Sequence, residues 1–274
     1  MAKHLSGRSI VLSYPKCGRT WLLNVFMNYW WRCDHQADNP LPFVLSTQSE
    51  LARRFARSTG INFKHGGKLS AMRAGARPSI RATDLRALKT TLLVRNPVSV
   101  IVSYYHHLRR PSKSVKFDGG FADFALGPWG AEALARYYND VMPPLLRNPR
   151  AQVVRYEQLH SASSGREEAF ETLLSHHFGR IDVSALLWAI KSCEPDQLRS
   201  RSRETGPSRV RKAKIVPDDE VLTDDLAQRV HRIMHSSLQA EVFSAVYPNG
   251  SNYLLTSGDE GAAPSRYEDG ARRA

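Results

Sequence analysis

The sequence predicts an α/β fold: one domain with a central parallel sheet covered by helices on both faces. Three observations predict it. Short apolar segments of strand length alternate with longer stretches of helical periodicity. Twice, a strand passes through a tight turn directly into a helix. The 274 residues, 42% hydrophobic and 24% charged, suffice for the core of one large α/β domain.

The elements follow in order. Ser9-Ile10-Val11-Leu12-Ser13-Tyr14 reads as a mostly apolar strand ending at Pro15. After the Lys16–Thr20 turn, Trp21, Leu22, Val25, Phe26, Tyr29 and Trp30 recur at i, i+1, i+4 and i+5, one stripe of a core-facing helix. Thr91–Val94 is a second strand, Arg95-Asn96-Pro97 its turn, and Pro97 suits the first turn of the next helix. A third strand is expected at 151–155, and a short one ahead of His65. Helices are expected near 47–58, 130–147, 166–178 and 183–192. Residues 109–120 read as a polar loop. Residues 199–214, with seven Lys/Arg against one acidic residue, also read as loop rather than core. Residues 251–274 have the mixed, polar composition of a flexible tail, leaving 1–250 as the domain.

The chain carries 39 Lys+Arg against 26 Asp+Glu, a net charge of +13. Such a field attracts polyanions: nucleic acid, an acidic membrane surface, or a nucleotide with several phosphates. The Arg-rich 199–214 stretch lacks interleaved aromatic residues, so it is not a base-stacking platform and no specific nucleic acid is expected. Three cysteines fit neither a zinc site nor a disulfide scaffold, which points to a reducing compartment. There is no signal-like apolar start and no apolar run long enough to span a bilayer. A cytoplasmic protein with no transmembrane segment is the expectation.

The most informative segment is Tyr14-Pro15-Lys16-Cys17-Gly18-Arg19-Thr20-Trp21. In a strand–turn–helix of this kind, successive backbone amides converge and the helix N-terminus adds positive potential. Lys16 adds a full charge and Thr20 a hydroxyl, so the segment is a phosphate cradle. It is not the nucleoside triphosphatase loop, because the Lys precedes the single Gly. It is not a Cys-phosphatase loop either, because Leu23 stands where that loop needs Arg. A second anion site is expected at Arg95, at the end of a strand, with Ser103 eight residues on.

At these residues the chain resembles the PAPS-dependent sulfotransferases of the cytosolic type, here a bacterial-like member. The first segment matches their YPKSGTTW loop at six of eight positions, departing at Cys17 and Arg19. The run Val94 to Tyr105 is similar to their RDPRDVxVSYY segment, with Asn96 in place of Asp. The resemblance implies a single P-loop-like domain that binds PAPS as donor and PAP as product. It implies that Lys16 contacts the bridge between phosphate and sulfuryl group, and that Cys17, Gly18, Arg19 and Thr20 line the 5′-phosphate. Trp21 would stack on adenine with Tyr156 nearby, and Arg95 and Ser103 would hold the 3′-phosphate. Arg211-Lys212 resembles a late basic pair that closes over that phosphate, although Ala213 replaces its Gly.

His65, in Asn62-Phe63-Lys64-His65-Gly66-Gly67, lies between the two phosphate motifs, where this family has its catalytic His. It is the expected general base. Lys16 would stabilise the departing phosphate, with Lys64 beside it as a candidate helper and no metal required. Cys17, at a helix N-terminus between cations, could be an oxidation-sensitive thiolate, or a Ser-sized replacement with no special role. The acceptor could be a small molecule, carbohydrate or lipid. The loops 33–50, 66–80 and 109–130, with Trp30, Trp31, Phe43, Phe117, Phe121 and Trp129, could line its site or equally belong to the core. The rival readings are a P-loop kinase-like phosphotransferase, which lacks a recognisable Mg²⁺ partner here, and a basic nucleic-acid-binding protein.

Overall fold

A computed structural model describes residues 8–65, 80–109, 117–160, 163–203 and 222–248. Ser9–Ser13 forms the central strand β1, buried along its whole length. A parallel strand covered on both faces needs a nearly continuous apolar run, and SIVLS provides it. Ile61–Lys64 (β2) pairs parallel with β1 on one side, with Leu12 opposite Lys64. Lys89–Val94 (β3) pairs parallel with β1 on the other, with Ser13 opposite Leu93. Ala151–Arg155 (β4) pairs parallel with β3, giving the order β2-β1-β3-β4.

Helices cover both faces of the sheet, as the alternating pattern requires. Arg19–His35 (α1) packs on one face, and Glu50–Thr59 (α2) precedes β2. Ser49 caps α2, and Gly60 ends it at φ 73°, a left-handed position that favours glycine. Ala82–Ala87 (α3) leads into β3, and Pro97–Leu108 (α4) leaves it with Pro97 in its first turn and the Asn96 side chain as cap. Phe121–Leu126 (α5) and Ala131–Leu146 (α6) lead to β4. Arg166–Phe178 (α7), Val183–Ser192 (α8), Pro195–Arg203 (α9), Asp224–Ser237 (α10) and Ala240–Val246 (α11) complete the chain. On one face Phe26 of α1 meets Phe63 and His177 edge-on at 5.3 and 5.4 Å. On the other, Tyr14 meets Tyr104 of α4 and Tyr137 of α6 at 5.9 and 5.3 Å.

Two polar networks inside this core were not expected from the sequence. Asn24 and Asn28, one turn apart on α1, use their amides to hold an irregular segment. Val44 N donates to Asn24 Oδ1 and Asn24 Nδ2 donates back to Val44 O, each at 2.9 Å, while Leu41 N donates to Asn28 Oδ1 at 2.9 Å. Under the opposite end of the sheet, His177 Nε2 lies 2.9 Å from Thr91 Oγ1 and its Nδ1 lies 3.1 Å from Ser9 Oγ. Gln152 Nε2 donates to the same Thr91 oxygen.

The expected helices and strands are present, with one correction. Residues 199–203, read as loop, belong to α9. Leu198 is buried and docks that helix, while Arg201 donates to Leu41 O at 2.8 Å and also to Ser192 O. The charge run concealed a helix held by one apolar anchor and one guanidinium. The rest of that run and the 251–274 tail lie outside the described residues. Among the described residues, no helix is long and apolar enough to cross a membrane.

Candidate active site

β2 and β3 flank β1 on opposite sides, so the chain reverses direction across the sheet at β1. Open α/β sheets bind ligands at such a reversal, beyond the carboxyl ends of the strands. The Lys16–Thr20 loop leaves β1 there. Lys16 has φ 75° and Gly18 φ 96°, two left-handed residues that turn the backbone into a nest. For Lys16 that conformation costs about 1–3 kcal/mol, a strain typical of ligand clamps. The first turn of α1 contains no acidic residue and Gly18 offers it no side-chain cap, so its amides keep their positive potential for an anion.

The β3 side of the crevice is built around Tyr156. Arg95, at the end of β3, donates to Lys16 O at 3.2 Å and lies 4.3 Å from the centre of the Tyr156 ring. Tyr156 follows β4 and presses on the loop so closely that a Cβ on Gly18 would meet its Cδ2 at 2.5 Å. Trp21 stands edge-on to Tyr156 at 5.5 Å, held by an Nε1 bond to Cys193 O at 2.9 Å. Lys16, Gly18, Trp21, Arg95 and Tyr156 are thus one cluster. Ser103 lies half-buried on α4 and makes no hydrogen bond to the loop among the described residues. Glu157, which the sequence reading passed over, accepts from Asn96 N at 2.7 Å and fixes the turn after β3.

The β2 side carries the histidine. His65 follows β2 directly, and the register that sets Lys64 opposite Leu12 brings it level with Ser13. Its Nδ1 lies 3.1 Å from Ser13 O. Burial, then the charges of Arg19 and Lys16, push its pKa down to about 3 against the Ser13 contact. The ring is therefore neutral at physiological pH. Lys64 beside it is exposed. Arg19 reaches over the same end of β2, with Nη1 3.5 Å from Phe63 O. Ser13 Oγ, Arg19 Nε and the Tyr137 hydroxyl are buried here with no hydrogen-bond partner among the described residues. Native interiors rarely leave such groups unsatisfied, and an anionic ligand would satisfy the donors.

Of the two readings of Cys17, its surroundings favour the Ser-sized replacement. Its thiol points away from the crevice, 3.8 Å from the Tyr138 hydroxyl and fully buried. Burial pushes it up to about 12, outweighing the Tyr138 contact and the Arg95 charge that favour the thiolate. That desolvation disfavours a thiolate, and any part in ligand binding falls to the Cys17 backbone. The six aromatic residues considered for an acceptor site all pack on the core, with Trp30 and Phe121 buried outright. Arg211 and Lys212 lie outside the described residues, as does most of 66–80.

The sequence profile of the sulfotransferase domain matches residues 6–166, more than half of the chain and all of the sheet and crevice. Among solved structures, a mouse sulfotransferase crystallised with PAP is similar, at 13% identity over 89% of this chain and 85% of that one, with a TM-score of 0.46. No curated protein matches the sequence. The parallel sheet, the loop after β1 and the match over the whole crevice identify the chain as a member of the sulfotransferase domain family.

Proposed function

We propose that the enzyme transfers the sulfuryl group of PAPS to an acceptor hydroxyl or amine by in-line displacement, with His65 as general base. The observation that carries this reading is the contact of His65 Nδ1 with Ser13 O. A carbonyl oxygen only accepts, so Nδ1 holds the ring proton and Nε2 holds a lone pair. That nitrogen makes no hydrogen bond among the described residues and is the atom available to an acceptor proton.

PAPS as substrate supplies a sulfuryl group already activated by its phosphate leaving group. The Lys16–Gly18 nest and the α1 amides suit the 5′-phosphosulfate, with Lys16, Cys17, Gly18, Arg19 and Thr20 along it. Arg95 and Ser103 suit the 3′-phosphate, Trp21 and Tyr156 the adenine, and Arg211 with Lys212 the closing of the site. In the reaction, His65 Nε2 takes the acceptor proton while the acceptor lone pair forms the new bond to sulfur. The bond from sulfur to the bridging oxygen breaks, and its electron pair stays on the 5′-phosphate of PAP. Lys16 stabilises the charge developing there. Fixed cations do this work in the scheme, without a metal. The acceptor is a small molecule, carbohydrate or lipid, and the free thiols fit a cytoplasmic setting.

Calorimetry with PAP, with and without magnesium, tests the donor, and an acceptor screen with labelled PAPS tests the reaction. Metal-independent PAP binding is the expected result. Magnesium-dependent ATP binding without PAP binding would replace this reading with a kinase-like one.

A further inference from the structure

Arg19 stands where the resemblance has threonine, and nothing in the transfer scheme above needs its side chain. Its surroundings are nonetheless unusual. The side chain is half-buried, with Nε wholly enclosed, and no carboxylate among the described residues pairs with it. A partly desolvated cation without a counter-ion carries a penalty that a bound anion would offset. Burial pulls even this group down to about 10, against the influence of Tyr137. Among the described residues its one hydrogen bond, to Phe63 O, is long at 3.5 Å, and Nε has no partner. Tyr137 is buried, 3% exposed, and its hydroxyl is likewise unpartnered among the described residues.

The position of these groups says which anion they await. Arg95, Trp21 and Tyr156 lie on the β3–β4 side of the loop and would take the nucleotide end of the donor. Arg19 turns the other way, toward the end of β2, where Phe63 and His65 are. Tyr137 packs on Tyr14, the residue that ends the path from β1 into the loop. Charge from Arg19 is felt by both His65 and Tyr137. A guanidinium and a phenol with free donor positions beside the base fit a tetrahedral anion through charge-assisted hydrogen bonds.

We propose that the Arg19 side chain, with the Tyr137 hydroxyl, binds the sulfuryl group itself at the His65 end of the crevice, and not the 5′-phosphate. The proposal rests on the donor reading above. It assigns the departure from threonine a function: a second cation, besides Lys16, on the oxygens of the group in flight. Arg19 is then a catalytic residue of this chain, and Tyr137 a specificity residue that favours a donor still carrying its sulfuryl group.

The test compares PAPS and PAP binding by calorimetry without acceptor, in the wild type and in Arg19→Thr, Arg19→Lys and Tyr137→Phe. In Arg19→Thr, PAP affinity should stay within about threefold while PAPS affinity drops about ten- to a hundredfold, the worth of one or two lost charged hydrogen bonds. Turnover with labelled PAPS should fall by a similar factor, and Arg19→Lys should recover part of both. Tyr137→Phe removes one oxygen without changing the packing and should show the smaller version of the same PAPS-selective loss. Equal losses for PAP and PAPS would assign Arg19 to the phosphate and overturn the proposal, as would variants that bind both like the wild type. If the wild type binds neither ligand, the donor reading itself fails, an outcome distinct from both.

Discussion

His177 and His65 sit at opposite ends of the same sheet, and burial pushes the pKa of each down to about 3. At the amino end, the fold consumes both nitrogens of His177. Nε2 pairs with the Thr91 hydroxyl, which also accepts from Gln152, and Nδ1 pairs with the Ser9 hydroxyl. At the carboxyl end, only Nδ1 of His65 is engaged, by a main-chain carbonyl. A depressed pKa therefore does not distinguish a structural histidine from a base. The unused nitrogen does, together with its place beside a phosphate-binding loop.

The largest expected effect separates the two at the level of rate. His65→Ala should lower turnover by about 10²–10⁴-fold, the usual contribution of a general base, while PAP affinity stays within about threefold. A normal rate in that variant would remove the functional half of the comparison. His177→Ala should do the reverse. Stranding Thr91 and Ser9 costs about 1–3 kcal/mol of stability in denaturant melts, with turnover per folded molecule kept. A rate loss there without a stability loss would invert the assignment.

Acid titration gives a smaller effect that both residues share. An ordinary histidine titrates near 6.5 and these two near 3. Above pH 6.5 neither the folded nor the unfolded chain protonates them, and their contribution to stability is complete. As pH falls below 6.5, the unfolded chain takes up protons that the fold refuses, until the fold accepts them near 3. Each residue should steepen the loss by at most about 1.4 kcal/mol per pH unit in that window. His176 and His231, also held low by burial, add to it. Chemical denaturation from pH 7 to 4 reads the slope, and His65→Ala should flatten it by about one proton. An unchanged slope would mean that His65 is solvated and its base role unsupported.

What could be read from the sequence follows how local each feature is. The strand, turn and helix around Lys16–Thr20 are encoded within a few residues, through alternating burial, one glycine and an apolar stripe. β3, Arg95 and Pro97 are encoded the same way. His65 could be located by its order along the chain, but its tautomer depends on the pairing of β2 with β1, which no local pattern records. Arg19 is legible in the sequence only as a departure from threonine in the loop, because its side chain reaches Phe63, far along the chain. Tyr137 gave no signal, being one of two adjacent tyrosines in an Ala-rich helix. Asn24 and Asn28 carry no local signal of their role, because their amides hold the 41–44 segment, which lies beyond the helix in sequence. The basic run at 199–203 misled because composition weighed more than the single buried Leu198.

The contact between Gly18 and Tyr156 also limits how this enzyme can drift in evolution. The tyrosine ring fills the space where a side chain on residue 18 would begin. A smaller residue at 156 would open that space, yet the backbone at 18, at φ 96°, would still disfavour anything but glycine. The two positions are therefore coupled asymmetrically. Lineages can explore 156 while 18 stays fixed, but a change at 18 meets a second obstacle even after 156 has given way.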